Sequence, residues 1–487
     1  MRKTALIMLL ALLLLISGCG GNGKKDGTSG GEKNQSKNHD INKFPETVHG
    51  VKWGTTLSPY SSVKDKMEFW ADKGINTVFI LVRDRSGLIL VPETEAEREA
   101  DPNHYYNAGE VGSPDVLKEI TEQAKRLGIT LCVGNWMLRD DPAYRDHPEW
   151  HQLDANGQPA KMGNYGTGDM LSPTSGYMTE VIYPFYQKIV DQYGIRNIFL
   201  QEMWYNGLDY NESNLLAFSK AQGRGENPYT REEIVSGDKE LKTKFEEFHY
   251  ETIKNVVKRF EEIVGESGSV MLHEPPFRNE IGRDDDFRNG RRFGTMSLYP
   301  DESIFANRKD FLTAIDPALS YRSVSASLAI LKTGTNQIFL EYFGFYEMDK
   351  ITRNIEREDI INLHLTARAA GIGNFCAEAD AHLWRAETGK AGVWDALAYC
   401  NGKIEDWFKG AEFKGKIEAS IATADNDGFG GYWQRPDGKR VVIIGSSLQK
   451  GESKYTVAGD KITDETGAQL PGEGTIPAGQ VRMFIVG

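Results

Sequence analysis

The sequence predicts an α/β protein with a (β/α)8 TIM barrel and a small C-terminal antiparallel β domain. From about residue 48 onward, short apolar runs alternate with longer amphipathic segments, which is typical of helices packed around a parallel sheet. Eight such runs can be counted, and eight is the strand number of this barrel. A doubly wound open sheet is the alternative, because eight strands can also lie in a flat order.

The predicted strands are apolar runs at residues 51–58, 76–83, 129–136, 197–205, 269–277, 294–299, 337–345 and 371–379. The segments between them have helical periodicity, and several end at glycine, as helices commonly do. They include residues 63–73, 114–127, 177–193, 241–264, 324–332 and 357–370. Beyond about residue 412, short β segments alternate with Gly and Pro turns, which indicates the β domain. We expect that domain to pack on the barrel, with sugar binding by Tyr432 or Trp433 as the alternative.

The first 46 residues predict a leader and a tether. Arg2 and Lys3 precede an apolar run at residues 5–16, which is too short to span a bilayer but suits a secretory signal. The run ends in ISGC at 16–19, which resembles the lipobox of bacterial lipoproteins and implies cleavage before Cys19 and lipidation of its thiol. The Gly-, Asn-, Lys- and Ser-rich stretch that follows is typical of a flexible linker. We therefore expect a lipid-anchored, extracytoplasmic protein of the bacterial cell envelope.

These patterns divide the chain into four parts. The predicted division is a signal peptide at 1–18, a tether at 19–46, the barrel at 47–412 and the β domain at 413–487.

Charge and cysteine usage exclude several classes of function. The chain has 57 Lys and Arg against 70 Asp and Glu, a net charge of −13, which argues against a nucleic-acid partner. The four cysteines form no CxxC pair, so neither a disulfide scaffold nor a structural zinc is predicted. Phosphate-binding GxxxxGK[ST] and nucleophile-elbow GxSxG motifs are also absent from the sequence. We expect no cofactor and no metal.

Carboxylates close several of the predicted strands. Barrel enzymes place their chemistry at the carboxyl ends of the strands, and a carboxylate after an apolar run is costly to bury unpaired. We expect these carboxylates to form a working mouth, with structural ion pairs to arginines such as Arg83, Arg139 or Arg385 as the alternative for any one of them. The carboxylates concerned are Glu202, Glu274, Glu341, Glu378 and Asp380.

Aromatic residues crowd the same strand ends. Sugar rings stack their apolar faces on aromatic side chains, while their hydroxyls need polar and charged partners, so this mixture favours a carbohydrate cleft. The predicted substrate-binding residues are Arg83, Trp136, Trp204, Tyr205, His273, Tyr342, Glu378, Asp380 and Trp384.

Residues 147–205 resemble glycoside hydrolases of the TIM-barrel type, and more closely the glycosidase-like lipoproteins of bacterial envelopes. The shared pattern is HPEW at 147–150, LSPTS at 171–175, a helix, YGI at 193–195 and a strand closing on an acidic residue, IFLQE, at 198–202. In the large clan of retaining glycosidases, the acid/base glutamate ends the fourth strand and the nucleophile ends the seventh. The resemblance implies these roles for Glu202 and Glu341. One departure is Gln201, where that clan usually has asparagine.

Other assignments stay open at this point. In other barrel glycosidases the fourth-strand carboxylate is the nucleophile and the acid comes from strand five or six, which would pair Glu202 with Glu274. His273 and His382, with neighbouring carboxylates, could instead bind a divalent metal for a metal-assisted hydrolase, although no HExxH motif occurs. The sequence thus predicts a glycoside hydrolase acting on an envelope-accessible saccharide; the alternative is a non-catalytic glycan-binding lipoprotein on the same scaffold.

Overall fold

The computed structural model describes residues 39–53, 60–100, 105–106, 113–160, 170–201, 203, 205, 207–225, 227–273, 294–297, 316–318, 321–322, 325, 338–342, 357–377 and 392–487. The predicted signal peptide, Cys19 and nearly all of the tether lie outside these ranges. The described residues belong to one compact unit, Ser36–Gly487. Within them, no helix has the length and apolar character needed to cross a membrane.

Parallel strands dominate the first part of the fold. They are β1 (His49–Trp53), β2 (Thr77–Arg83), β5 (Thr130–Trp136), β6 (Asn197–Gln201), β7 (Ser269–His273), β8 (Gly294–Ser297), β9 (Ile338–Tyr342) and β10 (Asn374–Ala377), while β3 (Leu88–Ile89) and β4 (Tyr105–Tyr106) extend the edge of β2. Each long strand pairs in parallel with the next, and β1 pairs with both β2 and β10. With helices between the strands, this arrangement fits a TIM-like fold.

Helices connect the strands where the sequence predicts them. They are α1 (Val63–Asp72), α2 (Glu95–Ala100), α3 (Val116–Leu127), α4 (Asp141–Asp146), α5 (Tyr183–Tyr193), α6 (Glu212–Ala221), α7 (Arg231–Ser236), α8 (Lys239–Val264), α9 (Arg357–Ala369) and α10 (Val393–Tyr399). The side chain of Asp115 caps α3, and α3 and α5 end at Gly128 and Gly194 with φ of 73° and 69°. Left-handed backbone of this kind favours glycine, so the predicted stop signals are confirmed there. Most of the predicted helix at 324–332 lies outside the described residues.

Two phenylalanines fill the space inside the parallel strands. Phe79 and Phe199 meet edge to face with ring centroids 5.9 Å apart, in a buried cluster that also holds Cys132 and Cys376. Gly134 gives Phe199 its room, since a Cβ there would lie 2.3 Å from the Phe199 carbonyl oxygen and 2.6 Å from its ring. The interior is therefore a packed core beneath the strand ends.

The C-terminal residues form two antiparallel sheets, as predicted. The five-stranded sheet has the order β11 (Glu412–Lys416), β13 (Phe429–Gln434), β14 (Arg440–Gly445), β18 (Val481–Val486) and β16 (Ile462–Thr463). The three-stranded sheet has the order β12 (Ala422–Ala424), β15 (Ser453–Val457) and β17 (Glu473–Ile476). Val442, Ile444, Tyr455 and Phe484 belong to one apolar cluster that holds these sheets together.

The five-stranded sheet also packs on helix α9. Val441 and Met483 belong to the same hydrophobic cluster as the helices around the parallel strands. Trp433 is 5% exposed, and its indole Nε1 donates to the carbonyl of Arg368 at 2.8 Å. Asn362 accepts the Val481 N–H through Oδ1 at 3.0 Å. Trp433 thus serves this contact, and its burial excludes stacking on a sugar from solution.

A buried polar cluster lies beneath the same contact, formed by His49, His364, Arg368 and Glu405. Arg368 and Glu405 form a hydrogen-bonded ion pair, and His49 Nε2 lies 3.7 Å from Glu405 Oε2. The His364 ring stacks on Phe375 at 3.9 Å. Neither histidine has a hydrogen-bond partner for its ring nitrogens among the described residues. The cluster sits near the amino ends of β1 and β10, opposite the ends that carry the predicted site.

This cluster makes the fold sensitive to acid. Burial, with the nearby charges of Arg368 and Lys409, lowers the pKa of His49 to about 3, and burial lowers that of His364 well below its ordinary value. Below pH 6.5 the histidines of the unfolded chain bind protons, whereas His49 in the folded protein stays neutral, so we expect His49 to lower the free energy of unfolding by about 2 kcal/mol between pH 7.5 and pH 5. His364 acts in the same direction. Burial raises the pKa of Glu405, which acts in the opposite direction.

Urea unfolding of the parent and of His49→Phe at both pH values isolates the contribution of His49. The phenylalanine keeps a ring at this position and cannot be protonated. We expect the variant to lose about 2 kcal/mol less than the parent on acidification. Equal losses in the two proteins would contradict this account.

Candidate active site

The carboxyl ends of three neighbouring strands meet at one level. Gln201, the last residue of β6, is paired with Trp136 of β5 on one side and with His273 of β7 on the other. Counted from β1, β6 is the fourth strand of the parallel order and β9 is the seventh. Glu341 is the penultimate residue of β9, opposite Ser297 of β8 and Cys376 of β10. The strand positions assumed for the predicted catalytic pair therefore agree with the observed order.

Several predicted site residues lie outside the described ranges or are described only by their backbone. Those outside are Glu202, Trp204, Glu274, Glu378, Asp380 and Trp384. Those with a described backbone alone are His273, Glu341 and Tyr342. Side-chain geometry can be given for Arg83, Trp136 and Tyr205.

Arg83 ends β2 and is buried in an ion pair. Its Nε donates to Asp140 Oδ2 at 2.8 Å, and the hydroxyl of Tyr177 donates to the same oxygen at 3.3 Å. The other oxygen of Asp140 accepts the Ala143 N–H and caps α4. This ion pair joins the loop after β5 to the end of β2. Arg83 therefore has a structural contact at the position where the sequence predicted substrate binding.

Trp136 and Tyr205 differ in accessibility. Trp136 is partly exposed at the end of β5, with the Arg139 guanidinium carbon 5.1 Å from its ring centroid. Tyr205 is 3% exposed and packs edge-on against His249 at 4.4 Å. Trp136 therefore keeps a surface on which a sugar can stack, whereas Tyr205 lies beneath the site as part of its support.

The side-chain oxygen of Gln201 has no hydrogen-bond partner in the part of the chain that the structure describes. The residue is 4% exposed. A buried amide oxygen without a donor costs free energy unless a ligand or water supplies one. Gln201 pairs with Trp136 and directly precedes Glu202 in the chain, which makes these strand ends a candidate binding position.

Sequence reasoning missed a buried polar cluster in the loop that follows β6. Asp209 accepts the N–H groups of Asn211 and Leu153 through Oδ1, at 2.9 and 3.1 Å. His249, from α8, accepts the Asp209 N–H through Nε2 at 2.8 Å, and Asn214 Nδ2 donates to the Asp209 carbonyl at 2.7 Å. We call Asp209, Asn211, Asn214 and His249 the loop cluster.

Burial perturbs both titratable groups of the loop cluster. It raises the pKa of Asp209 to about 6, although hydrogen bonds from Ser172, Asn211 and Leu153 work against the rise. It lowers the pKa of His249 to about 4, against the hydrogen bonds with Phe245 and Asp209. His249 is therefore a neutral ring at physiological pH.

Metal binding was the alternative chemistry. Among the described residues, no group of three or more His, Cys, Asp and Glu is placed to hold a metal ion. Of the residues named for that alternative, His382, Glu274, Glu378 and Asp380 lie outside the described ranges, and His273 is described by its backbone alone.

The fold is similar to that of known proteins, although the sequence is not. No family model and no curated protein matches the chain. The structure is similar to the PgaB (BpsB) glycoside hydrolase domain from Bordetella bronchiseptica, with a TM-score of 0.52 and 15% identity over 72% of this chain and 99% of that one. The fold is therefore one that glycoside hydrolases use.

Two further solved structures resemble the chain less. An α-L-fucosidase isoenzyme 2 from Paenibacillus thiaminolyticus has a TM-score of 0.49 and 13% identity, over 76% of this chain and 51% of that one. An α-amylase from Malbranchea cinnamomea has a TM-score of 0.49 and 11% identity, over 91% and 96%.

Proposed function

We propose that the chain is a glycoside hydrolase with its active site at the carboxyl ends of the parallel strands. The observation that carries the proposal is at the end of β6, where Gln201 pairs with the partly exposed Trp136 and its side-chain oxygen has no hydrogen-bond partner among the described residues. An aromatic face next to an unsatisfied polar group is what a sugar ring with its hydroxyls requires. The likeness to a glycoside hydrolase domain supports the same reading through the fold.

The proposed chemistry uses two glutamates from opposite parts of the strand order. Glu202, which follows Gln201 at the end of the fourth strand, is the general acid that protonates the leaving glycosidic oxygen. Glu341, on the seventh strand, attacks the anomeric carbon as that bond breaks, and a water activated by Glu202 then releases the sugar. A retaining enzyme of this kind keeps its two carboxyl groups about 5–5.5 Å apart. If Glu202 is instead the nucleophile, Glu274 on the fifth strand is the acid.

The proposal also includes the architecture and location expected from the sequence. We infer a complete (β/α)8 barrel, with an outer helix for each strand. Cleavage before Cys19 and lipidation of that residue would anchor the protein in the cell envelope, where an extracytoplasmic saccharide is the substrate.

Product release from a broad panel of saccharides and aryl glycosides tests the function. We expect Glu202→Gln and Glu341→Gln each to lose at least about a hundredfold in kcat on unactivated substrates, since proton transfer and covalent catalysis each contribute factors of this order. Glu122→Gln, on the exposed face of α3, is the matched control and should stay within about twofold.

Leaving-group dependence separates the two roles. An aryl glycoside with an acidic phenol needs little protonation, so Glu202→Gln should regain much of its kcat/KM on such a substrate, although its kcat should stay low because the second step still lacks its base. Glu341→Gln should regain neither. Loss in Glu202→Gln alone would transfer the second role to Glu274. No release by the parent, with saccharide binding unchanged by either substitution, would favour the glycan-binding lipoprotein.

A further inference from the structure

We propose that the loop cluster is a positioning device that locks the loops after β5 and β6 into one rigid unit and so fixes the segment that carries Glu202. The inference deepens the proposed function and rests on it for the role of Glu202. The mechanical coupling of the two loops stands on the described contacts alone.

First, the hydrogen bonds of His249 determine which of its ring nitrogens carries the proton. The Asp209 N–H can only donate, so the Nε2 atom that it contacts at 2.8 Å must present its lone pair. The proton of the neutral ring then lies on Nδ1, which donates to the carbonyl of Phe245 at 2.6 Å. His249 is therefore held by its own helix, α8, and acts as a fixed acceptor for the loop after β6.

The second step concerns the bonds between the two loops. Besides the Leu153 N–H that Asp209 accepts, Asn211 Nδ2 donates to the carbonyls of Glu149 and His151 at 2.9 and 2.7 Å. The Tyr210 N–H donates to the Leu153 carbonyl at 2.8 Å. These four bonds fix residues 149–153 to residues 209–211, much as one strand fixes another.

The third step concerns the short segment that carries Glu202. It begins at Gln201, the last residue held in the parallel sheet, and it ends at Asp209, which is held by His249 and Asn214. Both ends of the segment are thus anchored, which is what a device that positions Glu202 requires, since a catalytic group must be held within about half an ångström of its productive position.

The composition of the loop cluster favours positioning over simple packing. A buried carboxylate and a buried imidazole each cost desolvation free energy that apolar side chains of similar size would avoid. In return they form directional hydrogen bonds. His249 accepts the Asp209 N–H, and the Asp209 carboxylate accepts the Leu153 and Asn211 N–H groups, so the backbone of both loops is held in one orientation.

Two substitutions of His249 test the inference. In His249→Gln the Oε1 atom can still accept the Asp209 N–H, whereas His249→Phe keeps a ring against Tyr205 and Phe245 but has no acceptor. By hydrogen exchange, we expect residues 149–153 and 207–211 to exchange at least tenfold faster in His249→Phe and close to the parent rate in His249→Gln. Unchanged exchange in His249→Phe would overturn the inference.

Kinetics give the second readout, measured well below the unfolding temperature of each variant. We expect His249→Phe to lose at least tenfold in kcat with KM changed by less than about twofold, and His249→Gln to recover to within about threefold of the parent. Loss of stability with kcat unchanged would assign His249 a merely structural role and overturn the positioning claim. If the parent lacks hydrolase activity, the proposed function fails, while the exchange rates still decide whether the loops are coupled.

Asn211→Asp serves as a second variant should His249→Phe fold poorly. It keeps the oxygen that accepts the Ser213 N–H but removes both donors to the carbonyls of Glu149 and His151. We expect faster exchange in residues 149–153. Exchange at the parent rate would contradict the coupling.

Discussion

A chain that ends at residue 411 is expected not to fold. The lost strands β13, β14 and β18 cover α9, and their apolar residues belong to the same core cluster as the helices of the parallel domain. Removing them would expose Phe408, whose ring lies 5.3 Å from that of Trp433, and would strip Asn362 of its partners Val481 and Gly479. Exposing this apolar surface to water costs free energy, and we expect that cost to exceed the roughly 5–15 kcal/mol by which an ordinary domain is stable.

Expression of residues 39–411 beside residues 39–487 makes the comparison. The shorter chain should be insoluble or should lack a cooperative thermal transition, and a protease should degrade it completely. A soluble shorter chain with the melting temperature of the longer one would show that the C-terminal sheets are an independent module.

Arg368→Met is expected to destabilise the fold by about 3–5 kcal/mol, because it leaves the Glu405 carboxylate buried without its partner. The Arg368 side chain is 2% exposed. Its guanidinium carbon lies 5.2, 4.5 and 5.5 Å from the ring centroids of Phe375, Phe408 and Trp433. Methionine fits this apolar surrounding but cannot pair with a carboxylate.

Urea unfolding at pH 7.5 measures the loss. The double variant Arg368→Met with Glu405→Leu should recover most of it, since it removes both charges together. Lys244→Met breaks the exposed pair with Glu240 on α8 and, as the control, should leave the free energy of unfolding close to that of the parent. A loss below about 1 kcal/mol for Arg368→Met would mean that Glu405 is protonated or solvated in the fold.

The order and type of the elements follow from the sequence, but the ends of the strands do not. The run at 197–205 predicts one strand, yet β6 ends at Gln201, while Met203 and Tyr205 are buried beyond it. An apolar run in the sequence indicates which residues are buried, and here the buried residues continue past the strand into the loop that follows it. Hydrogen bonding, which defines the strand, stops earlier.

The candidate site could be predicted only as far as its strand ends. Carboxylates and aromatics that close apolar runs indicate a mouth, and the observed order agrees with their strand numbers. The bond between Asp209 and His249 joins residues 40 positions apart and belongs to no motif. The available signal was weaker: His249 lies in register with Phe245, Ile253 and Val256 on the buried face of α8, which predicts a buried ring but not its partner.

Two buried cysteines make the opening of the core measurable by thiol labelling. Cys132 and Cys376 lie in the cluster around Phe79 and Phe199, and burial raises the pKa of the Cys132 thiol well above its usual range. A reagent that attacks thiolates finds neither access nor the reactive form in the closed state. The rate at which it labels Cys132 therefore measures how often the parallel strands around this cluster separate, an event in the core and not in the loops.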